Sequence, residues 1–262
     1  MKRTSKGSAR MGGARWSSGA LLSLALLWVV PWAGGCRREA VPEAPVPVAA
    51  SVAPAPSPAA AAPAGSTSAL AAAPRVVFLG DSLTAGLGLG EEVAYPAIVG
   101  ELLAARGVAV RIVNAGVSGD TSAGGLARVD WLLSLHPEVL VVALGANDGL
   151  RGQPVAAIEA NLREIVRRAR AAGARVVLAG MKMPPNYGPD YTRDFEALYV
   201  RLARELALPF IPFLLAGVAA DPQLNQADGI HPTAEGQRKI AALVADVLQP
   251  ELARLSAAAP RR

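Results

Sequence analysis

The chain has 262 residues, 52% of them hydrophobic and 18% charged, a balance that supports one sizeable buried core and excludes a chain disordered throughout. Its net charge of +5 is unevenly placed: seven basic residues and no acid precede Glu39, and the other 19 basic residues face all 21 acids. From Arg75 onward the tally is 19 basic to 19 acidic, so the globular part carries no charge excess for DNA or RNA.

Residues 1–15 are positively charged, and Ala20–Val30 is an apolar run of eleven, the size of a secretory h-region and too short to span a bilayer. Ala33, Gly34 and Gly35 then lead to Cys36, the only cysteine. Two readings stay open at this point. One is cleavage of an ordinary signal peptide. In the other, the segment resembles the lipobox of bacterial lipoproteins, which makes Cys36 a lipidation site and the mature N-terminus, although Ala33 stands where that motif usually has leucine. Residues 1–36 are thus expected to be an export signal, with a membrane anchor on the second reading. A lone cysteine forms no intramolecular disulfide, although an exported chain could carry one. Residues 37–74 are mostly alanine and proline and are expected to be a disordered, extended tether. A globular domain is expected over 75–255 and a flexible tail over 256–262.

Within the domain, β-branched runs predict strands at Arg75–Leu79, Val108–Val113, Glu138–Leu144, Ala174–Ala179 and Leu208–Ile211. Between and after them, helical patterns occupy Tyr95–Arg106, Thr121–Leu135, Val155–Ala172, Thr192–Leu206 and Thr233–Leu252. Strict alternation predicts an α/β fold, a parallel sheet covered by helices on both faces. Ligands of such sheets bind outside the carboxyl ends of the strands.

The unusual residues collect there. Gly80-Asp81-Ser82-Leu83 follows the first strand, Asn114 to Asp120 (NAGVSGD) the second, and Gly145-Ala146-Asn147-Asp148 the third. Asp228-Gly229-Ile230-His231 precedes the last helix and must return to the same edge. Ser82, in a tight strand-to-helix turn, is the candidate nucleophile, and a serine hydroxyl needs a neighbouring base. Of the two histidines, His136 lies at the amino end of the sheet and is read as structural. His231 has Asp228 three residues earlier, a spacing that can place a carboxylate against Nδ1 and turn Nε2 to the serine. The backbone of Ser82, Gly119 and the side chain of Asn147 are candidate oxyanion donors. Asp120 or Thr121 reads as a helix N-cap, and Asp81 and Asp148 as loop-ordering residues. No metal site is expected: histidine and cysteine are scarce, and no HExxH or carboxylate-rich loop occurs.

These four blocks resemble those of the SGNH (GDSL) hydrolases, closest to the thioesterase I, lysophospholipase and arylesterase branch: Ser82 in GDSLTAGLG, Gly119 in NAGVSGDTSAGG, Asn147 in GANDGLRG and His231 in DGIHPTAEGQ. The resemblance covers about Arg75 to Leu252. It implies a flavodoxin-like three-layer α/β/α sandwich with a five-stranded parallel sheet and a cofactor-free serine esterase. Aryl esters, lysophospholipids or acyl thioesters would be cleaved through an acyl-serine intermediate. The apolar loop after the fourth strand, with Met181, Met183, Pro184, Pro185 and Tyr187, is expected to receive the acyl chain. Two alternatives are a carbohydrate O-acetyl esterase and a non-catalytic acyl-binding lipoprotein. Against the former, Trp131 is the only tryptophan after Arg75.

Overall fold

A computed structural model describes residues 72–258. The expected leader, Cys36 and most of the tether lie outside the described residues, as do the last four residues of the expected tail. The strands are β1 (Arg75–Gly80), β2 (Arg111–Gly116), β3 (Val139–Ala143), β4 (Arg175–Ala179) and β5 (Phe210–Ile211). All pair in parallel, in the order β2-β1-β3-β4-β5. The helices are α1 (Ser82–Ala85), α2 (Tyr95–Ala105), α3 (Ser122–Leu133), α4 (Ala146–Leu150), α5 (Val155–Ala171), α6 (Pro189–Glu205) and α7 (Ala234–Ala258).

Successive residues of a strand point to opposite faces, and β1 shows what each face meets. Phe78 packs edge-on against Tyr95 of α2, while Leu79 lies beside Gly125 of α3. Helix α2 packs with α7 on the first side, and α3, α5 and α6 form a row on the second. The result is the expected three-layer sandwich. Residues 76–80, 139–143 and 176–179 are buried, so β1, β3 and β4 form the central core. From β1 the chain steps outward to β2 and then returns to the other side of β1 for β3. This reversal puts the switch in strand order at β1 and β3, and doubly wound sheets bind their ligands at the carboxyl ends of such strands.

Four strands begin later than the sequence suggests, β3 by one residue and the other three for one shared reason. Helix α2 ends in a Schellman motif in which Gly107 N–H donates to Ala104 O and Val108 N–H to Leu103 O. Val108 is thereby committed to the helix end, and β2 spans 111–116 rather than 108–113. The same motif consumes Ala174 before β4 and Leu208 before β5, leaving β5 only two residues. At its carboxyl end, β2 extends to include Asn114, Ala115 and Gly116, which the sequence places in a loop.

The one-turn helices α1 and α4 are not anticipated by apolar periodicity, being too short to show any. Helix α6 starts at Pro189 rather than Thr192, because proline suits the first helical position. Helix α7 runs through Pro250 to Ala258, past the boundary expected at 255. Leu252 is buried there, and Glu251, also buried, pairs with Arg175 at 2.6 Å. His136 is exposed in the turn before β3, far from the carboxyl edge.

Candidate active site

Ser82 opens α1 directly after β1 and is 8% exposed. Asp81 caps this helix through Oδ1, which accepts the Leu83 N–H at 3.0 Å. The turn lies so close to β2 that a Cβ on Gly116 would stand 2.3 Å from Ala85 N, so only glycine fits at that point.

His231 Nε2 lies 2.9 Å from Ser82 Oγ, and its Nδ1 lies 2.6 Å from Asp228 Oδ2. Asp228 Oδ1 accepts the N–H groups of Ile230 and His231 at 2.9 and 3.0 Å. The His231 N–H, its ring and then the Ile230 N–H together hold the Asp228 carboxyl well below the usual carboxylate range. An ionised Asp228 requires the proton on Nδ1, which leaves the Nε2 lone pair facing the serine hydroxyl. The loop is fixed from both ends. Asn225 bridges to Pro232, and Gln226 Nε2 donates to Leu87 O at 2.7 Å and to Pro232 O at 3.0 Å, joining the histidine loop to the segment after α1. Gln237 of α7 donates to Leu83 O at 3.3 Å and accepts the Tyr95 N–H at 2.9 Å.

On the other side of Ser82, Gly119 has φ +79°, a conformation that favours glycine. Its carbonyl accepts Arg151 Nη2 at 3.1 Å, and its N–H takes no part in the loop hydrogen bonds. Asn147 Nδ2 donates to Asp120 O at 2.9 Å and makes a longer contact of 3.4 Å with Asp81 Oδ2. Both acceptors demand the NH2 end of the amide, so its donor side is the one presented here. Thr121 is the N-cap of α3, accepting the Gly124 N–H at 3.1 Å. Asp148 accepts Ser122 N–H and Oγ–H, each at 2.7 Å, tying α4 to the start of α3. Among the described residues, no three His, Cys, Asp or Glu side chains gather to hold a metal ion.

The expected acyl loop needs correction. Met181 and Met183 are 2% and 7% exposed and belong to the core, Met183 lying against Gly149, so neither offers a surface to a ligand. Pro184 and Pro185 are exposed, and Tyr187 donates to Leu150 O at 3.1 Å, bracing the loop on α4. Four of the six exposed large hydrophobic residues among the described residues are near the polar groups in the chain. Among the exposed large hydrophobic residues, Leu87 follows Ser82, Val117 precedes Gly119, Leu150 follows Asn147 and Ile230 precedes His231.

Sequence reasoning missed Gln226, Gln237 and Arg128. For the glutamines nothing in the local pattern distinguishes a bridging amide from a solvated one. Arg128 did leave a signal: on α3 it shares the helical face of Gly125, Val129 and Leu132, where an apolar residue is the ordinary choice.

Burial pushes the Asp81 carboxyl up to about 6, against the Leu83 N–H and His231, which favour its ionised form. Between about pH 4 and 6 the folded protein therefore binds a proton that the unfolded chain has released. The associated stability is present below that window and lost as pH rises through it. Asp81→Asn lacks this loss, so its stability relative to wild type should increase by roughly 2 kcal/mol from pH 4 to pH 7. Urea unfolding of both proteins across that range measures the difference; a pH-independent difference contradicts the assignment.

Residues 78–239 match the model of the GDSL-like lipase/acylhydrolase family. Esterase TesA of Pseudomonas aeruginosa is 43% identical over 183 residues, covering 70% of this chain and 91% of that protein. Thioesterase 1/protease 1/lysophospholipase L1 of Escherichia coli is 42% identical over 181 residues, covering 69% and 86%. Among solved structures, the psychrotrophic esterase EstA from a Pseudoalteromonas species, inhibited by monoethylphosphonate, is similar with a TM-score of 0.65 at 33% identity. That similarity covers 68% of this chain and 98% of EstA.

Proposed function

The chain belongs to the GDSL-like lipase/acylhydrolase family, and from that premise we propose that it is a serine esterase cleaving carboxylic esters and thioesters through an acyl-Ser82 intermediate. The observation that carries this reading is the unbroken hydrogen-bond chain from Asp228 through His231 to Ser82. Ser82 Oγ attacks the acyl carbonyl while His231 Nε2 takes its proton, and Asp228 holds the ring and stabilises the imidazolium. The carbonyl oxygen becomes an oxyanion, held by the N–H groups of Ser82 and Gly119 and by the Asn147 Nδ2 hydrogen released from its long 3.4 Å contact with Asp81. His231 then gives its proton to the leaving alcohol or thiol. A water molecule, deprotonated by His231, attacks the acyl-serine; the acid departs and Ser82 regains its proton.

The acyl chain is assigned to the exposed apolar rim, Leu87 and Ile230 on the histidine side and Val117 and Leu150 on the asparagine side, with Pro184 and Tyr187 beyond. Each methylene laid on such a surface contributes at most about 0.8 kcal/mol, so an open rim favours longer chains gradually and sets no sharp length limit. The segment up to Cys36 supports export with a lipid anchor. No helix among the described residues is long and apolar enough to cross a membrane.

The test is hydrolysis of p-nitrophenyl esters from acetate to palmitate by the full chain, with EDTA present and after partition between detergent and water. Activity should persist in EDTA and follow the detergent phase, moving to water in Cys36→Ser. Ile230→Ser and Leu150→Ser should lower kcat/KM for decanoate several-fold while sparing acetate. No hydrolysis of any ester would end the esterase reading, an unchanged length profile the rim assignment, and activity in the aqueous phase the anchor.

A further inference from the structure

Arg128 stands on the sheet-facing side of α3, yet its side chain remains 22% exposed and pairs with an Asp120 side chain that is 10% exposed. Setting a partly buried ion pair in place of an apolar contact is a poor source of stability, because desolvating two charges offsets most of their attraction. What the guanidinium holds suggests another purpose. Nε donates to Asp120 Oδ2 at 2.8 Å, Nη1 to Ala115 O at 2.7 Å and Nη2 to Gly80 O at 3.0 Å. The three acceptors lie on separate parts of the site. Gly80 precedes Asp81 and Ser82, Ala115 is in β2 where it leads into the Gly119 loop, and Asp120 directly follows Gly119. Asp120 is fixed further because Oδ1 accepts the Thr121 N–H at 2.9 Å and its carbonyl accepts Asn147 Nδ2 at 2.9 Å.

We infer that Arg128 is a positioning residue for the oxyanion hole, one rigid fork that sets the Ser82 turn, the Gly119 loop and the Asn147 amide relative to one another. The inference rests on the oxyanion assignment made above. It is independent of charge alone: a planar guanidinium reaches three divergent acceptors through three nitrogens, whereas a lysine ammonium is a single compact point. The group touches no substrate atom. Its effect is to hold donors where negative charge develops, so it acts on the transition state more than on substrate binding.

The experiment uses the full chain with Arg128→Lys, Asn147→Ala and the double variant, assayed on p-nitrophenyl acetate with Tm recorded for each. Arg128→Lys should reduce kcat about 10- to 100-fold with KM within roughly threefold of wild type, and should cost several-fold less in the Asn147→Ala background, since one of the donors it places is already gone. Asp120→Asn, which weakens the same clamp while keeping the volume, should show the same split and the same non-additivity, and carries the test if Arg128→Lys does not fold. A loss that is equal in both backgrounds, or one that appears in KM or Tm with kcat retained, overturns the inference and makes Arg128 a structural residue. Failure of the esterase reading is distinguishable, because wild type itself would then hydrolyse no ester.

Discussion

Replacing His231 with alanine is expected to lower kcat for a short ester by about 10^4-fold or more, with KM little changed. At neutral pH the Ser82 hydroxyl is a weak nucleophile until a base receives its proton, and among the described residues the only side chain hydrogen-bonded to Oγ is the imidazole at 2.9 Å. Ser82→Ala should fall equally far, and the double variant should be no worse than either single one, because the two groups act as one device. Steady-state kinetics on p-nitrophenyl acetate, beside thermal unfolding to show that the variants stay folded, measures this. Additive losses would mean that the two residues serve separate steps.

The second large effect is expected at Asn147. Asn147→Ala should lower kcat about 10^2- to 10^3-fold, some 3 to 4 kcal/mol of transition-state stabilisation, without a matching rise in KM. The ground-state carbonyl gains little from the amide, whereas the oxyanion gains a donor that needs no reorganisation. A boronic acid that mimics the tetrahedral state should lose affinity in the variant by a similar factor, while the product carboxylic acid should bind nearly as before. Equal weakening of both ligands would make Asn147 a general binding group.

The candidate site was legible in the sequence because three of its four blocks fall at strand ends whose place follows from strand alternation, while the fourth precedes the last helix. Ser82, Gly119, Asn147 and His231 are brought to one edge by a topology readable from short β-branched runs and the helices between them. Strand starts were less legible. Val108, Ala174 and Leu208 adjoin apolar strand runs, yet each is committed to closing the helix before it, a choice set by hydrogen-bond geometry rather than by side-chain type. The expected acyl loop departs from the structure for a related reason. Met181 and Met183 are apolar and sit next to the site in the chain, but sequence does not tell whether such a side chain turns inward, and both join the core. The clamp made by Arg128 depends on three carbonyl or carboxylate oxygens from distant segments, which no local pattern records.

The most direct test of the account is labelling of the full chain by a p-nitrophenyl alkylphosphonate, followed by peptide mass spectrometry and residual esterase activity. The account predicts one adduct per chain, on the peptide containing Ser82, formed in proportion to the loss of ester hydrolysis and suppressed in His231→Ala. An active protein that resists the reagent, or that is labelled elsewhere with Ser82 unmodified, would contradict it.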